Sequence, residues 1–499
     1  MTENYLDRLA RIINENWDSP ALTDFYLTED GSAQNTSRGN HYTYGEMYEE
    51  ILHVCDIFHT LGVQKGDHIA ICGPNSAHWA ITYLAVATYQ GVAVTILHSQ
   101  SIEDIAHQID FSDATVLFTD LELWNELQSQ FLPQVKHVIC LADWQILLGK
   151  EIAIENRESK IENRESRFVH GEPDDLAMIC FTSGSTNSSK GIMLSNRNMS
   201  NNAQNITDGY PDGEETAFLS VLPMAHIYGF MTEILAQIIK GKHISVLMDL
   251  SYSNLYSALS LTRPYALSFI PFLLSGLVKF NRDSIIFLRE CKQIYVGGSL
   301  FDQQLEKELL SSHVPISIGY GMTETGPLIS YSICSEYKPG TCGRIVEGMT
   351  VRIAPSSEIL VKGENVMLGY YKDPEATARK IDKDGWLHTG DKGHLDEDGY
   401  LYVEGRLEQD MIVLPNGENI HPEDIERKIN ALPEVKESIV LARDGKLVAI
   451  VVADTDIRRH VLRTINQELP LYSQLYDVEI TDVPLQKTAK QTLKRYLYK

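Results

Sequence analysis

Short apolar segments alternate with amphipathic segments through the first two thirds of this 499-residue chain. Apolar residues recur at helical spacing over 44–61, the run HIAICG follows, and a helix-like stretch over 79–89 precedes GVAVTIL. The same alternation returns with the apolar strings ISVLM, YALSFI, KQIYVGG and PISIGYG. Because parallel strands need long, usually helical, crossover connections, this rhythm predicts an α/β fold of mostly parallel βα layers.

The pattern changes after about residue 340. Short strands separated by Gly and Asp-Gly turns predict a small β-rich subdomain over about 340–405. The tail contains PEDIERKINAL, ESIVLARDGKLVAIVVA and HVLRTINQEL, which predict a helix, a hairpin and a helix. We therefore expect a large N-terminal domain of residues 1–405 and a small, mobile α+β C-terminal domain of residues 406–499.

Composition narrows the class of protein. The chain has 43 basic and 68 acidic residues, a net charge of −25, which argues against nucleic acid as a partner. Seven scattered cysteines without a CxxC pair indicate free thiols in a reducing compartment rather than a zinc site or disulfides. No stretch is apolar enough for a signal peptide or a transmembrane segment, so we expect a cytoplasmic protein.

A string rich in Ser, Thr and Gly, CFTSGSTNSSKGIMLS (180–195), follows the strand-like LAMICF. Its hydroxyls and backbone N–H groups suit phosphate oxygens, and Lys190 adds a positive charge. The residues concerned are Thr182, Ser183, Gly184, Ser185 and Thr186. The string is not a Walker P-loop, since Lys190 lacks the preceding Gly and the following Ser or Thr. A flexible surface loop is the alternative.

Two further strings carry candidate binding residues. In SIGYGMTETGP (317–327), Tyr320 can stack on a purine, Thr323 can donate to a phosphate, and Glu324 can bind Mg²⁺. The alternative is a structural turn capped by its own Thr and Glu. In GWLHTGDKGHLDEDGYLYVEGR (385–406), Asp391 suits two ribose hydroxyls and Arg406 can add a donor, although Asp391 alone is also compatible with a structural β-turn.

These three strings, in this order, resemble the adenylate-forming (AMP-binding) superfamily of acyl- and aryl-CoA synthetases, adenylation domains and luciferases. LPMAHIYG (222–229) resembles its substrate-pocket motif, and YVGGSL (295–300) resembles the Gly-Gly loop that lines its nucleotide and acyl sites. GENIHPEDIE (417–426) is also family-like. Within the superfamily, LPMAHIYG, KPGTCGRIVEGMTVRI and KTAKQTLKRYLY most resemble bacterial long-chain fatty acyl-CoA synthetases.

The resemblance implies an AMP-forming acid–thiol ligase that uses ATP, Mg²⁺ and CoA. A carboxylate, of a medium- or long-chain fatty acid, would attack the α-phosphorus of ATP to give acyl-AMP and pyrophosphate, and CoA would then displace AMP. Glu324 would bind the metal, and His226 would lie at the carboxylate end of an acyl/CoA pocket that includes Gly298 and Gly417. The implied nucleotide contacts are Thr182, Ser183, Gly184, Ser185, Thr186, Lys190, Gly297, Gly298, Ser299, Tyr320, Gly321, Met322, Thr323, Asp391 and Arg406.

The chain departs from the family pattern in the phosphate loop and at the hinge. Asn187 and Ser189 stand where the family usually has Gly and Pro. Asn tolerates a positive φ better than most residues, so we expect the turn to survive. The segment after the predicted boundary is slightly longer than usual, which leaves the hinge among Glu408, Gln409 and Asp410.

A third departure removes a charged residue. The family's C-terminal catalytic lysine falls at Thr492, with Lys490 and Lys494 two residues to either side. In an extended segment these three positions share one face. We predict that one neighbour, Lys490 ahead of Lys494, supplies the missing positive charge during adenylation. A solvated basic terminus is the alternative.

Other functions stay open at this level. An aryl- or succinylbenzoate-type CoA ligase, or an enzyme that loads a separate carrier protein, would use the same chemistry on another acid or thiol. A non-catalytic nucleotide- or acyl-binding relative is a rival of a different class, suggested by the altered loop and lysine. A homodimer is compatible with all of these functions.

Overall fold

A computed structural model of the chain describes residues 3–27, 33–34, 39–149, 171–181, 190–209, 217–299, 301–406, 412–414, 418–420, 422–486 and 497–498. The strands, numbered in chain order, are β1 (Pro20–Leu27), β2 (Ala33–Gln34), β3 (His41–Thr43), β4 (His68–Cys72), β5 (Val92–Ile96), β6 (Val116–Thr119), β7 (His137–Cys140), β8 (Ile146–Leu148), β9 (Leu176–Phe181), β10 (Gly191–Ser195), β11 (Phe218–Ser220), β12 (Ile244–Leu247), β13 (Ala266–Phe269), β14 (Gln293–Val296), β15 (Ile316–Gly321), β16 (Leu328–Tyr331), β17 (Arg344–Ile345), β18 (Met349–Ile353), β19 (Glu358–Gly363), β20 (Gly369–Tyr370), β21 (Leu387–Leu395), β22 (Leu401–Arg406), β23 (Ile412–Val413), β24 (Asn419–Ile420), β25 (Glu437–Arg443), β26 (Lys446–Val452) and β27 (Leu475–Thr481).

The α-helices are α1 (Tyr5–Glu15), α2 (Tyr44–Leu61), α3 (Ala77–Thr88), α4 (Ile102–Phe111), α5 (Leu121–Leu127), α6 (Asn196–Gly209), α7 (Ile227–Gly229), α8 (Ala236–Ile238), α9 (Tyr252–Thr262), α10 (Pro271–Phe280), α11 (Ser284–Glu290), α12 (Gln303–Ser311), α13 (Pro374–Lys380), α14 (Pro422–Asn430) and α15 (Arg458–Glu468). A π-helical turn, Phe230–Leu235, joins α7 to α8, and a 3₁₀ turn, Thr323–Thr325, follows β15.

Two large sheets of mostly parallel strands form the body of the chain. One has the order β17-β16-β15-β14-β13-β11-β12-β1-β2 with β3 paired to β1, and the other β20-β10-β9-β5-β4-β6-β7-β8. In the first, neighbouring strands from β1 to β15 along this order pair in parallel, for example Ile294 with Ile316. The predicted α/β fold class of mostly parallel layers is confirmed.

Helices that share one core with both sheets connect these two layers. The largest core cluster joins side chains of both sheets through α2, α3 and α6. Nearly every residue of α3 is buried, and the ring centroids of Tyr83 and Phe230 lie 4.0 Å apart. A helix that is apolar on every face is the kind that fits between two layers.

A four-stranded sheet, β18-β19-β21-β22, forms the β-rich segment that follows. The tail contains a hairpin, β25 and β26, with β27 added in parallel to β26. Its turn residues Asp444 and Gly445 have φ of 51° and 73°, as the tight Asp-Gly hairpin turn requires.

The chain divides into two compact units. The larger contains the described residues up to Phe181, Gly191–Thr389 and Gly393–Val403. The smaller contains Lys190, Gly390–Lys392 and the described residues from Glu404 onward. Among the helices of the described ranges, none is long and apolar enough to cross a membrane.

Candidate active site

The carboxyl ends of the central parallel strands meet at one edge of the first sheet. β13 ends at Phe269, β14 at Val296 and β15 at Gly321, and the segments that follow carry the predicted site residues. The amide of Gly297 donates to the carbonyl of Phe269 at 3.1 Å. In open α/β sheets, ligands bind in the crevice outside these carboxyl ends.

The segment LPMAHIYG brings His226 and Tyr228 to this edge. The Tyr228 hydroxyl donates to the carbonyl of Phe269 at 3.3 Å. Its ring lies against Gly297, 3.4 Å from where a Cβ atom of that residue would stand. The ends of β13 and β14 therefore meet at this aromatic side chain.

His226 caps the short helix α7. The backbone N–H of Tyr228 donates to Nδ1 of His226 at 3.2 Å, so Nδ1 is the unprotonated nitrogen. Burial lowers the pKa of His226, which keeps the ring neutral at neutral pH. A neutral ring that accepts at Nδ1 carries its proton on Nε2, where it can donate to an anionic oxygen.

The Gly-Gly loop follows β14 directly. Gly298 has a φ of +89°, and a Cβ there would lie 3.3 Å from Cγ2 of Ile270. A side chain is disfavoured at this position by the backbone as well as by its neighbour. Gly297 is buried and faces the carbonyl of Gly319 on β15, so predicted residues 297–299 and the start of the Tyr320 string are neighbours.

A closed turn carries Tyr320, Thr323 and Glu324. Gly321 admits no side chain, because a Cβ would lie 1.9 Å from the carbonyl oxygen of Pro327. The Thr325 hydroxyl donates to that same oxygen at 2.6 Å, and the amide of Met322 donates to it at 2.9 Å. Thr325 therefore closes the turn through its own hydroxyl, in agreement with the structural alternative of a turn capped by a Thr of this string.

Glu324 is buried and connects the turn to the second sheet. The Tyr370 hydroxyl donates to its Oε1 at 2.8 Å, and the amide of Met367 donates to its carbonyl at 2.9 Å. Burial first, and then the neighbouring Glu324 carboxyl, raise the pKa values of Tyr370 and Cys180. Cys180 lies on β9, whose hairpin with β10 flanks the predicted phosphate loop, and β20 pairs with β10.

The donor set at Glu324 fits Mg²⁺ bound together with substrate phosphates. One carboxylate with Oε1 fixed by a hydroxyl is a hard oxygen ligand, and Mg²⁺ is usually bound by one or two carboxylates plus phosphates and water. Within the described residues there is no group of three or more His, Cys, Asp or Glu side chains that would form a cage made by the protein alone.

Asparagines of α6 hold the turn from behind. Asn202 donates from Nδ2 to the carbonyl of Thr325 at 3.1 Å, and its Oδ1 accepts the amide of Leu328 at 2.9 Å. Asn201 donates to Asn365 at 2.8 Å, and Asn365 donates to the carbonyl of Leu328. These amides bond backbone groups of Thr325 in the turn and of Leu328 at the start of β16.

The remaining predicted residues belong to other segments of the chain. Lys190 is exposed just before β10, and Asp391 is buried within β21 rather than in a β-turn. Arg406 is the last residue of β22, with its side chain outside the described part. Thr182, Ser183, Gly184, Ser185, Thr186, Asn187, Ser189, Glu408, Gln409, Asp410, Gly417, Lys490, Thr492 and Lys494 also lie outside the described residues.

Comparison with known proteins decides the family. Residues 10–371 match the family described as AMP-binding enzyme. The chain belongs to the AMP-binding enzyme family. This confirms the predicted adenylate-forming superfamily and the prediction of an enzyme.

Individual relatives of this AMP-binding enzyme are named as CoA ligases. Peroxisomal OPC-8:0-CoA ligase 1 of Arabidopsis thaliana is 28% identical, with 83% of this chain and 79% of that protein covered. The 4-coumarate–CoA ligase 3 of Oryza sativa subsp. japonica is 25% identical, with 89% and 84% covered. Both names agree with the predicted AMP-forming acid–thiol ligase.

A solved structure shares the fold. An o-succinylbenzoate CoA synthetase of Bacillus subtilis, bound to a product analogue, superposes with a TM-score of 0.81 at 23% identity, covering 98% of this chain and 97% of that chain. The likeness extends over both compact units and confirms the predicted fold class.

Sequence reasoning missed several residues of this region. Tyr370 contacts Glu324 from 46 residues away, and no local pattern marks it. The α6 asparagines repeat at spacings of three and four in NRNMSNNAQN, which marks a polar stripe on one helical face. Glu233 is a lone charge in the apolar run FMTEILAQII, a signal that a buried carboxylate leaves in a sequence.

Proposed function

We propose that this AMP-binding enzyme is an ATP-dependent acyl-CoA ligase that activates a medium- or long-chain fatty acid. The observation that supports the proposal is that the segments carrying His226, Gly297–Gly298 and Glu324 follow β11, β14 and β15, strands of one parallel sheet, and that Tyr228 lies against Gly297. These are the groups that an adenylation needs for the acid, the nucleotide and the metal.

The first half-reaction follows from this arrangement. The acid substrate lies with one carboxylate oxygen near Nε2 of His226, whose proton orients it while the other oxygen attacks the α-phosphorus of ATP. Tyr320 stacks on adenine, and the Thr323 hydroxyl donates to the α-phosphate. Pyrophosphate leaves and acyl-AMP forms. The CoA thiolate then attacks the acyl carbon and AMP leaves.

Glu324 would hold the magnesium ion. When bound, the ion neutralises charge that develops on the phosphate oxygens. The Tyr370 hydroxyl keeps the Glu324 carboxyl oriented toward this task through its 2.8 Å hydrogen bond. Positive charge from Lys190, and from Lys490 or Lys494, would assist at the pyrophosphate.

The apolar surroundings of the Gly-Gly loop favour an acid with an apolar body. Ile270 lies against Gly298, and the Tyr228 ring lies against Gly297. The Tyr228 hydroxyl donates to the carbonyl of Phe269. A second carboxylate on the substrate would need a charged partner in such surroundings. An aryl acid is the second candidate, since the Tyr228 ring offers a flat surface and one relative is named a 4-coumarate–CoA ligase.

A panel of acids distinguishes these substrates. Straight-chain acids of increasing length, 4-coumarate and o-succinylbenzoate are each incubated with ATP and Mg²⁺, with and without CoA, and pyrophosphate, AMP and thioester are measured. We expect the largest kcat/KM for a medium- or long-chain fatty acid. A maximum at an aromatic acid would transfer the proposal to the aryl class. If AMP is released with a carrier protein and not with CoA, the carrier protein would replace CoA as the proposed acceptor.

The location and assembly predicted from the sequence remain proposals. We expect a cytoplasmic enzyme, consistent with Cys72 and Cys180, which lie in the core and form no disulfide bond. A fluorescent fusion tests the location, and light scattering on the purified protein tests the homodimer.

A further inference from the structure

A carboxylate lies in the core directly behind the His226 segment. Glu233 belongs to the π-helical turn Phe230–Leu235 and is fully buried. Its Oε2 accepts three hydrogen bonds, from the Ser220 hydroxyl at 3.0 Å and from the amides of Val221 and Leu222 at 2.9 and 2.8 Å. Glu233 therefore binds the backbone at the point where β11 ends and the segment leading to His226 begins.

The position of Glu233 depends on an irregular helix. π-Helical turns insert an extra residue and redirect the side chains that follow. Here the carbonyl of Thr232 accepts a hydrogen bond from Nε2 of Gln237 at 2.8 Å. The helical segment after His226 therefore places the Glu233 carboxylate against the end of β11, which precedes His226. The hydrogen bonds of Glu233 close the loop formed by residues 220–233.

A second side chain fixes the same loop from the other sheet. Asn75 follows β4 and donates from Nδ2 to the carbonyl of Leu222 at 2.8 Å. Its Oδ1 accepts the amide of Met224 at 2.8 Å. Side chains from two elements therefore hold the loop by hydrogen bonds, the fully buried Glu233 and the half-buried Asn75.

We propose that Glu233 is a positioning residue of the adenylation reaction, whose carboxyl group holds residues 221–226 in the conformation that presents His226 to the acid substrate. This inference rests on the proposed function. Glu233 acts through His226 and does not contact the reacting atoms. The hydrogen bonds that Glu233 accepts from the amides of Val221 and Leu222 fix the backbone of this segment.

The protonation of Glu233 sets how firmly the loop is held. Burial raises the pKa of Glu233 to about 8, although the Leu222 amide, the Ser220 hydroxyl, and the Val221 and Ser268 amides each lower it. Of the groups that face Glu233, Tyr228 titrates, and its pKa is raised by burial and by Glu233; Ser220 and Ser268 do not titrate.

The ionised carboxylate accepts the three hydrogen bonds more strongly than the neutral acid, because charge-assisted hydrogen bonds are about twice as strong. The loop is therefore held more firmly as the pH rises through about 8. We expect the KM for the acid substrate to fall over this range. His226 and Tyr228 titrate below and above it, respectively.

The variant Glu233→Gln keeps the shape of the side chain and cannot ionise. Pyrophosphate release without CoA is measured from pH 6.5 to 9.5, so that the CoA thiol does not contribute. We expect the variant to match wild type within about twofold at pH 6.5 and to have a KM for the acid about five- to tenfold higher at pH 9. The inflection in wild-type KM near pH 8 should be absent.

Two further variants separate positioning from folding. Gln237→Met removes buried hydrogen bonds from the same helix without touching residues 221–226, and should lower stability while keeping the wild-type pH profile. Ser220→Ala removes one donor to the carboxylate, which should move the inflection to higher pH. If Glu233→Gln does not fold, the pH profile of Ser220→Ala tests the role of Glu233.

The outcomes are distinct. A wild type that adenylates no carboxylic acid overturns the proposed function, and with it this inference. An active wild type whose KM profile is unchanged in Glu233→Gln or in Ser220→Ala overturns the role of Glu233 and leaves the proposed function standing.

Discussion

At the scale of single residues, the site depends on a few side chains whose positions are fixed by distant partners. Glu324 is oriented by Tyr370, and the His226 segment is held by Asn75 and Glu233. In each case a buried polar group is satisfied by a hydrogen bond, as burial requires. The fixed geometry is what positioning and charge stabilisation at a phosphate demand.

Glu324→Gln tests the metal ligand. Gln keeps an oxygen for the Tyr370 hydroxyl but lacks the charge, so we expect Mg²⁺-dependent adenylation to fall about 100-fold or more with the fold intact. Tyr370→Phe is the matched control: it keeps the charge and should cost about tenfold or less. Pyrophosphate release at several Mg²⁺ concentrations measures both. A near wild-type rate for Glu324→Gln would show that the ion is bound elsewhere.

Alanine variants of Lys490 and Lys494 test whether either lysine replaces the family's catalytic lysine, which is Thr492 in this chain. Changing each to Ala should lower acyl-AMP formation strongly for one, with Lys490 the first choice, and weakly for the other. Thioester formation from supplied acyl-AMP should persist in both, because no charge then develops on pyrophosphate. Separate assays of the two half-reactions measure this. Normal adenylation by both variants would contradict the prediction.

Short sequence motifs predicted the candidate residues that stand within the motifs. They missed the residues whose role depends on tertiary contacts. Tyr320 and Glu324 stand in a short glycine-flanked turn, which the sequence displays. Tyr370 approaches Glu324 through the pairing of β20 with β10, which no local pattern encodes. The same holds for Asn75, whose partners lie 147 and 149 residues away.

At the scale of elements, α2 was predictable to its ends while the π-helical turn was not. Thr43 and Glu46 form a capping box, and Gly62 ends α2 in the left-handed conformation, so local chemistry defines both boundaries. The turn Phe230–Leu235 has no side-chain capping hydrogen bond at its start that would mark it in the sequence. It is stabilised by the buried contacts of Glu233 and Gln237.

Helix α6 is the element that supports the Glu324 turn, and its asparagines provide a matched test. Asn202 and Asn205 are both buried, and each donates to the carbonyl four residues earlier. Asn202 also contacts Thr325 and Leu328, whereas Asn205 contacts both backbone groups of Glu347. The two side chains thus differ in the loop they support.

We expect Asn202→Ala to lower kcat/KM for ATP in adenylation about tenfold or more, because the turn loses two of its fixed contacts. Asn205→Ala should cost a similar free energy of unfolding, about 1–3 kcal/mol, and leave adenylation within about twofold of wild type. Denaturant unfolding and pyrophosphate release measure the two effects. Equal loss of activity in both variants would mean that α6 contributes to stability alone.

At the scale of the whole molecule, the parallel layers explain why strings far apart in sequence act together. His226, Gly297 and Glu324 follow different strands whose carboxyl ends meet at the same edge. The alternating pattern was enough to predict these layers, and the order of the strings was enough to predict the family. The sheet order itself is set by long-range pairings, which periodicity does not reveal.

The division into two units motivates a test of the hinge. We expect Asp410→Pro to affect adenylation and thioester formation unequally, because a rigid hinge favours one arrangement of the C-terminal unit over another. Each half-reaction is assayed separately, with acyl-AMP supplied for the second. Losses of equal size would point to misfolding instead, and circular dichroism would check the fold.

The proposed reaction requires a carboxylate oxygen to attack the α-phosphorus of ATP. Following ¹⁸O from a labelled fatty acid during turnover with ATP, Mg²⁺ and CoA tests this attack. Attack on the α-phosphorus forms a carbon–oxygen–phosphorus bridge, and CoA breaks the carbon–oxygen bond of that bridge. We predict one ¹⁸O atom in the AMP released and none in pyrophosphate. Label in orthophosphate with release of ADP, or unlabelled AMP, would contradict it.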